Sequence, residues 1–506
     1  MVATRRSTTK KPEASPRDLS ENSRSVTYRL PVEIMSEILL HIVEVYPLMR
    51  RTEPLNLVTS VCQRWRDIAL ASPHLWTAIV FNDSRMRYDE NYKVILPRPK
   101  SRIQAFLKRS RNLPLDIVYK IDYASKSASH MFHFENLIAP HLTRCRTLYV
   151  RLNTFEQLKR VVPLPQGLEK IRSFNLDIST RYPPSLSLPH PVLLFHPDNG
   201  ARLQHLRIAT SYLPVSFDNI APQELQNFTF SSFRASPSPD DVMEWLGGAS
   251  LLEECDIAAS GTPSRPPTDL PALRFMRIGC VNPLKVLQTS SLVRLDWTLP
   301  SSGIPDTAEL GQAGGHLPSL RHLSIASLEL GEFHRLLPFL QEAPTVVNLR
   351  IHQWVWDDVI SLIRALAVKV PHTGEPSSPT SSHDSTPPTT GPSQYITDLL
   401  PSLQCLFMKD VCNNGSSRAA ITEKSFDKLL KRDNAAVAFN NLLTARPALA
   451  NNILNMKLHG AEVDEAAIEE MQREYTSLDR RVAEMARPPW SEFDWAGETD
   501  LNLGDW

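Results

Sequence analysis

Residues 30–79 read LPVEIMSEILLHIVEVYPLMRRTEPLNLVTSVCQRWRDIALASPHLWTAI, and their apolar positions recur at helical spacing in three successive segments. Pro31 suits the first turn of a helix, because a residue without an N–H leaves no backbone donor unpaired there. Glu33 is favoured by the positively polarised helix start. One apolar stripe then follows at Ile34, Ile38, Ile42 and Val45. The stretch therefore predicts a compact helical unit.

The second segment carries two apolar faces rather than one. Its first face comprises Leu55, Val58, Cys62, Trp65 and Ala69, and its second comprises Leu57, Val61 and Ile68. At about 100° per residue the two faces lie about 110° apart, which is wide for a short helix. One face therefore serves the core of the unit, and the other is available to a partner. Pro73 ends this helix, and a third apolar cluster follows it at Leu75, Trp76 and Ile79.

Several separate pieces of this stretch together resemble an F-box. The resemblance is carried by Leu30-Pro31, Glu33-Ile34, Ile38-Leu39, Val61-Cys62, Trp65-Arg66, Ile68-Ala69, Pro73 and Leu75-Trp76. The connection between the first two helices, residues 41–54, is longer than in the compact motif and resembles the version found in large fungal families. The alternative is an ordinary three-helix unit.

The F-box resemblance implies a partner. It implies a three-helix unit that docks on the Skp adaptor of a cullin-RING ubiquitin ligase, and helices laid into such a groove bind through exposed apolar stripes. The adaptor-binding residues that it implies are Leu30, Pro31, Ile34, Ile38, Leu39, Leu57, Val61, Ile68, Leu75 and Trp76.

A six-position unit recurs beyond residue 100, with apolar residues at its first, fourth and sixth positions. Its usual interval of twenty to thirty residues is that of leucine-rich repeats, whose short strands form a curved parallel sheet. So loose a pattern also arises in amphipathic helices. The units begin at Cys145, Ile171, Leu203, Leu225, Leu252, Leu273, Leu292, Leu320, Val346, Leu403 and Ile453.

Two further features support strands separated by helical returns. The lead-ins at 270–273, 317–320 and 400–403 all read Leu-Pro-small-Leu, and proline there opposes a continuous helix. Helices are predicted at 241–246, 333–340 and 356–370. The asparagine or cysteine that the repeat family places three residues after the last apolar position is replaced, so the stacked ladder is missing. The residues found there are Ser211, Ser260, Val281, Pro300, Leu328 and Trp354.

Strand alternation predicts which side chains face away from the core. The residue between the last two apolar positions of each unit points off the exposed sheet face. These residues are Tyr149, Asn175, Arg207, Thr229, Asp256, Arg277, Asp296, Ser324, Arg350, Phe407 and Lys457. A merely solvated face would also be polar, and the F-box resemblance is what favours binding. The candidate target-binding set is Tyr149, Arg207, Asp256, Arg277, Asp296, Arg350 and Phe407.

The predicted fold class is α/β, with an F-box at 28–81 and an irregular leucine-rich-repeat solenoid at 100–485. Residues 1–27 are predicted to be a disordered basic leader, and the Pro/Ser/Thr-rich stretch 371–393 a disordered insertion. A helix at 465–485 is predicted to cap the solenoid. The acidic-aromatic tail 486–506 either binds a partner or packs back on this helix.

Composition excludes several functional classes. The 55 Lys and Arg residues balance 55 Asp and Glu residues, which disfavours nucleic acid and anionic membranes as partners. No apolar run reaches the roughly 18 to 20 residues that a bilayer requires. Six scattered cysteines without a C-x-x-C pair indicate reduced core thiols. We therefore expect an intracellular protein, in the cytoplasm, the nucleus or both.

Catalytic motifs are absent from the sequence. It contains no G-x-S-x-G, no phosphate-binding glycine loop and no H-E-x-x-H, so it predicts no enzyme, no cofactor and no metal site. The predicted function is a substrate-recruiting subunit of a Skp-cullin-F-box ubiquitin ligase, in which the repeat face holds an unknown target protein. The alternative is a non-catalytic scaffold that binds partners without directing ubiquitin to them.

Overall fold

A computed structural model describes two compact units, divided between Tyr119 and Lys120. The predicted leader, the insertion 371–393, the capping helix and the tail lie outside the described residues. These are 29–82, 98–121, 134–162, 164, 168, 170–178, 191–196, 201–210, 214–232, 238–259, 268–279, 287–299, 317–328, 333–341, 343–352, 354–367, 399–403, 405–409, 438, 441–442 and 453–454.

The first unit is mainly helical. It contains α1 (Val32–Glu44), α2 (Thr52–Val61), α3 (Gln63–Ala71) and α4 (Arg98–Arg109). Short 3-10 helices cover Leu48–Arg50 and Pro73–Trp76. Strands β1 (Ala78–Asn82) and β2 (Leu115–Lys120) are hydrogen-bonded neighbours. The connection between the first two helices is shorter than predicted, because α1 continues to Glu44 and α2 already begins at Thr52.

The prediction of one continuous second helix is wrong, because it breaks at Cys62. This residue has an extended backbone (φ −155°, ψ 171°), and its Sγ accepts a hydrogen bond from the Trp65 N–H at 3.5 Å, so that it caps α3. The carbonyl of Thr59 accepts a hydrogen bond from the Arg66 Nε at 2.8 Å. Side chains therefore satisfy backbone groups that a continuous helix would have paired.

The core of the first unit is organised around Trp76. Its ring meets that of Phe106 edge-on at 4.9 Å, and its Nε1 donates a hydrogen bond to the Ala69 carbonyl at 2.7 Å. The guanidinium of Arg109 lies 4.3 Å from the centre of the Trp76 ring. The other apolar side chains buried within the helices are Met35, Leu39, Val43, Leu55, Val58, Ile68, Ala69, Ile103 and Leu107.

The second unit is built on an eleven-stranded sheet, in which every neighbouring pair is parallel. Its order is β3 (Cys145–Leu152), β4 (Ser173–Ile178), β7 (His205–Thr210), β10 (Asn227–Ser232), β11 (Glu254–Ala259), β13 (Phe275–Gly279), β15 (Arg294–Thr298), β16 (His322–Ala326), β17 (Asn348–His352), β18 (Cys405–Lys409) and β19 (Ile453–Leu454).

Three small parallel pairs accompany this sheet. They are β5 (Val192–Leu193) with β8 (Val215–Ser216), β6 (Ala201–Arg202) with β9 (Ile220–Ala221), and β12 (Thr268–Asp269) with β14 (Leu287–Gln288). The returns include α5 (Phe155–Val161), α6 (Pro239–Leu246), α7 (Phe333–Gln341) and α8 (Trp356–Ala367), a π-helical turn at Phe134–Ile138, and 3-10 helices at Ala139–Arg144 and Pro222–Glu224. The fold is therefore α/β and compatible with a solenoid.

The apolar register of the repeats is confirmed from β3 to β18. Leu148 aligns with Phe174, and the same position continues across the sheet to Leu406. These side chains are at most 2% exposed, and burying one contributes about 1.5–3 kcal/mol. The last unit departs from the predicted register, because Leu406 pairs with Ile453 and not with Met456. Lys457 lies outside the described residues.

The Leu-Pro-small-Leu lead-ins form one recurring turn. The N–H of Leu273 donates to the Leu270 carbonyl at 3.1 Å, and equivalent bonds join Leu320 to Leu317 and Leu403 to Leu400. Proline suits the second position of such a turn, because its ring fixes φ near the required value. Four repeats that lack the motif contain the same turn. Its hydrogen bond is donated by the backbone N–H of Ile171, Leu225, Leu252 and Val346.

Two of the positions at which the ladder residue was predicted to be replaced are described, and one of them holds a tryptophan. The side chain of Trp354 is fully buried, and its Nε1 donates a hydrogen bond to the Ile325 carbonyl at 3.1 Å. Leu328 occupies the same position one repeat earlier, and its side chain is apolar and buried. Ser211, Ser260, Val281 and Pro300 lie outside the described residues. In the part of the chain that is described, no helix is long and apolar enough to span a membrane.

Candidate protein-interaction surfaces

The first unit exposes a concentrated set of large apolar side chains, here called the helical apolar surface. Among the described residues, eight of the ten exposed large apolar side chains lie within residues 32–70. Concentration of this kind is typical of an interaction surface, whereas scattered exposed apolar residues are normal. The eight are Val32, Ile34, Ile38, Val45, Tyr46, Leu57, Val61 and Leu70.

Helical periodicity explains why these side chains are exposed. The apolar arc of helix α1 is wide, so burying Met35, Leu39 and Val43 leaves Ile34 and Ile38 exposed, about 120° further round the helix. Helix α2 likewise buries Leu55 and Val58. It leaves Leu57 at 64% and Val61 at 59% exposure, four residues apart on one face.

The predicted adaptor-binding residues divide into two groups. Pro31, Ile34, Ile38, Leu57 and Val61 are exposed, and Leu30 is half-buried, with its carbonyl accepting a hydrogen bond from Arg64. Leu39, Ile68, Leu75 and Trp76 are buried in the core of the unit, so they are not part of its exposed surface. The predicted adaptor-binding set omitted four exposed residues: Val32, Val45, Tyr46 and Leu70. Their apolar character was visible, but only the packed helices show which face remains open.

The predicted outward residues of the sheet form one continuous row across it, here called the middle row. Its members are paired strand to strand as Tyr149, Asn175, Arg207, Thr229, Asp256, Arg277, Asp296, Ser324, Arg350 and Phe407. Arg277 is the most exposed described member, with 53% of its side chain accessible. The prediction of exposure is wrong for Tyr149 and Asn175, which are 2% and 5% exposed. The side chain of Phe407 lies outside the described residues.

The centre of the middle row is an ion-pair network. Arg277 lies 3.2 Å from the Asp256 Oδ2 and 3.6 Å from the Asp296 Oδ2, while Arg294 lies 3.0 Å from Asp296. The Arg277 and Arg294 guanidiniums also lie 5.9 and 5.3 Å from the centre of the Phe275 ring. Burial raises the pKa of Asp256 despite the opposing effect of Arg277, and the Asp256 carboxylate raises the pKa of Arg277.

A second outward row, here called the upstream row, lies two residues earlier on each strand and was missed by the sequence prediction. The alternation that identified the middle row also points to it. It comprises Ser173, His205, Asn227, Glu254, Phe275, Arg294, His322 and Asn348.

Hydrogen bonds link the upstream row across strands. His205 Nδ1 donates to Asn227 Oδ1 at 2.6 Å, and Asn227 Nδ2 donates to Glu254 Oε2 at 2.7 Å. Burial raises the pKa of Glu254 to about 7 and lowers that of His205. Further along the row, Asn348 Nδ2 donates to His322 Nδ1 at 2.9 Å. The row therefore carries polar groups whose orientation is fixed by their neighbours.

These surfaces are suited to binding a partner. Within the described ranges, no three His, Cys, Asp or Glu side chains are grouped as a metal site would need. Cys145 and Cys255 are buried, reduced cysteines, and burial raises the pKa of Cys255, which keeps this thiol protonated and unreactive. Ordered polar rows and exposed apolar helices are features of interaction surfaces.

The fold and its surfaces define a class of protein: an α/β protein with a large parallel sheet and two separate candidate binding surfaces. No protein-family model matches the chain, and no curated protein sequence matches it.

Proposed function

We propose that this protein is a substrate-recruiting subunit of a cullin-RING ubiquitin ligase. The helical apolar surface binds a Skp-type adaptor, and the outward face of the sheet binds the target protein. Catalysis belongs to other subunits of the complex. The observation that carries the proposal is the concentration of exposed apolar side chains on α1, α2 and α3, in the segment that resembles an F-box.

The exposed side chains support a docking role on energetic grounds. Covering one large aliphatic side chain contributes about 1.5–3 kcal/mol, so a partner that covers several of them gains substantial free energy. Ile34, Ile38, Leu57 and Val61 were expected at the adaptor contact from the motif alone, and all four are exposed. An ordinary three-helix unit would have no reason to keep so many apolar groups in water.

Co-purification from cells tests the proposal. The full chain is expected to recover a Skp-type adaptor in near-stoichiometric amount, with a cullin. Leu57→Asp should abolish this recovery, because it places a charge in the centre of an apolar contact. Leu251→Asp is the matched control, since Leu251 is also an exposed leucine (51%) but lies in the second unit.

The same experiment separates the ligase subunit from the scaffold. Recovery of adaptor and cullin supports the ligase function. Recovery of other proteins without the adaptor would leave only the scaffold function, and equal recovery by the wild-type chain and Leu57→Asp would place any adaptor contact elsewhere.

A further inference from the structure

The outward face of the sheet contains one carboxylate whose charge is not balanced. Four carboxylates occur in the described part of this face: Asp177, Glu254, Asp256 and Asp296. Asp177 pairs with Arg151 at 3.6 Å, and Asp256 and Asp296 pair with arginines of the ion-pair network. Glu254 forms no ion pair with any described residue, and accepts its one hydrogen bond from the amide of Asn227.

The groups around Glu254 do not supply the missing cation. Asn227 lies on one neighbouring strand and Phe275 on the other, and neither carries a charge. Arg277 is held by Asp256 and Asp296. His205 contacts Asn227 and not Glu254, and burial lowers the pKa of His205, which disfavours its charged form. The remaining neighbour in sequence, Glu253, is another carboxylate and raises the pKa of Glu254 further.

Glu254 is only half-buried, and so is Phe275 beside it on the next strand. Two residues beyond the middle row, a third outward row consists of small side chains across six consecutive strands: Ala209, Ser231, Ala258, Gly279, Thr298 and Ala326. A partner side chain can therefore reach the accessible part of the Glu254 carboxylate.

We propose that the outward face of the sheet recognises a lysine or arginine side chain of a partner protein, which forms an ion pair with the Glu254 carboxylate. A half-buried carboxylate without a counter-ion is unfavourable in the free protein, and a cation from the partner removes that cost. Charge-assisted hydrogen bonds are also the stronger kind, and both oxygens of the carboxylate accept them. Asn227 and His205 fix the orientation of the carboxylate before the partner arrives.

This inference depends on the proposed function in one respect: that function makes the partner a protein recruited for ubiquitination. It is tested on the purified full chain with a random twelve-residue peptide library displayed on phage. Peptides selected by the wild-type chain are expected to be enriched in Lys or Arg at one position. Selection without this enrichment, or without any bound peptide, contradicts the inference.

Synthetic forms of a selected peptide then locate the contact. Replacing its Arg by citrulline, or its Lys by norleucine, should weaken binding to the wild-type chain by about tenfold or more. Glu254→Gln should bind both forms equally, and Glu253→Gln, the adjacent exposed carboxylate, should discriminate as the wild-type chain does. Discrimination that survives in Glu254→Gln overturns the assignment.

Two readouts separate this inference from the proposed function. Discrimination between the charged and neutral peptides should increase from pH 6 to pH 8 in the wild-type chain, because Glu254 ionises near pH 7; a constant ratio contradicts the role of Glu254. Adaptor binding should be unchanged in Glu254→Gln. Absence of adaptor binding together with retained discrimination would remove the ligase function and leave the cation-recognising surface.

Discussion

At the scale of single residues, the ionised Glu254 carboxylate destabilises the free protein and is also its proposed binding group. The folded protein binds the carboxyl proton of Glu254 more tightly than the unfolded chain does, because burial raises the pKa of Glu254 from 4.5 to about 7. Unfolding therefore releases the proton within this pH window, and the free energy of unfolding decreases as the pH rises through it. Above pH 7 the carboxylate is ionised in both states, and the free energy of unfolding no longer decreases on its account. Sites that are built to bind a charge often carry such a cost.

Glu254→Gln should therefore stabilise the free protein at pH 8. The glutamine oxygen still accepts the Asn227 hydrogen bond, while the charge is removed. The expected gain in unfolding free energy is on the order of 1 kcal/mol, reduced by the partial hydration of the group. Urea unfolding at pH 8 and pH 4.5 measures this gain, which should vanish at the lower pH. An equal gain at both pH values would mean that the effect is not electrostatic.

Trp354 makes a separate prediction at this scale. Replacing it by Phe removes the donor to the Ile325 carbonyl while keeping an aromatic ring in the core. Losing one such hydrogen bond costs about 0.5–1.5 kcal/mol. Thermal unfolding of Trp354→Phe should show this loss. Unchanged stability would mean that the tryptophan contributes packing alone.

At the scale of elements, α1 has a buried and an exposed apolar face that sequence alone could not assign. Ile38→Asp should change the free energy of unfolding by no more than about 0.5 kcal/mol, because surface substitutions rarely do more. Leu39→Ala, one residue along, should cost about 2–5 kcal/mol through the cavity it leaves. Urea unfolding of both variants tests which face is the core, and a larger loss in Ile38→Asp would reverse the assignment.

The strands of the second unit were predictable because each repeat repeats the same alternation. From Leu148 to Leu406 every apolar position aligned as the sequence indicated. The last unit was misaligned by three residues at Ile453, because a loose apolar pattern there fits more than one register. The break at Cys62 was also missed, since a cysteine accepting a capping hydrogen bond has no distinct sequence signal.

At the scale of the whole molecule, the sequence indicated candidate surfaces more readily than it indicated which side chains remain exposed. Alternation placed Asp256, Arg277 and Asp296 in one row, but the ion pairs among them depend on side-chain reach. Burial of Trp76 depends on α4, which lies more than twenty residues further along the chain. Contacts between distant segments decide such exposure, and local patterns do not contain them.

Docking of a Skp-type adaptor on the helical apolar surface is tested by the dissociation constant of the purified full chain for purified adaptor. We expect saturable binding by the wild-type chain, unchanged binding by Leu251→Asp, and binding weakened by at least about tenfold in Leu57→Asp, since one lost apolar contact already exceeds 1.4 kcal/mol. No binding by the wild-type chain, or equal binding by all three proteins, would contradict it.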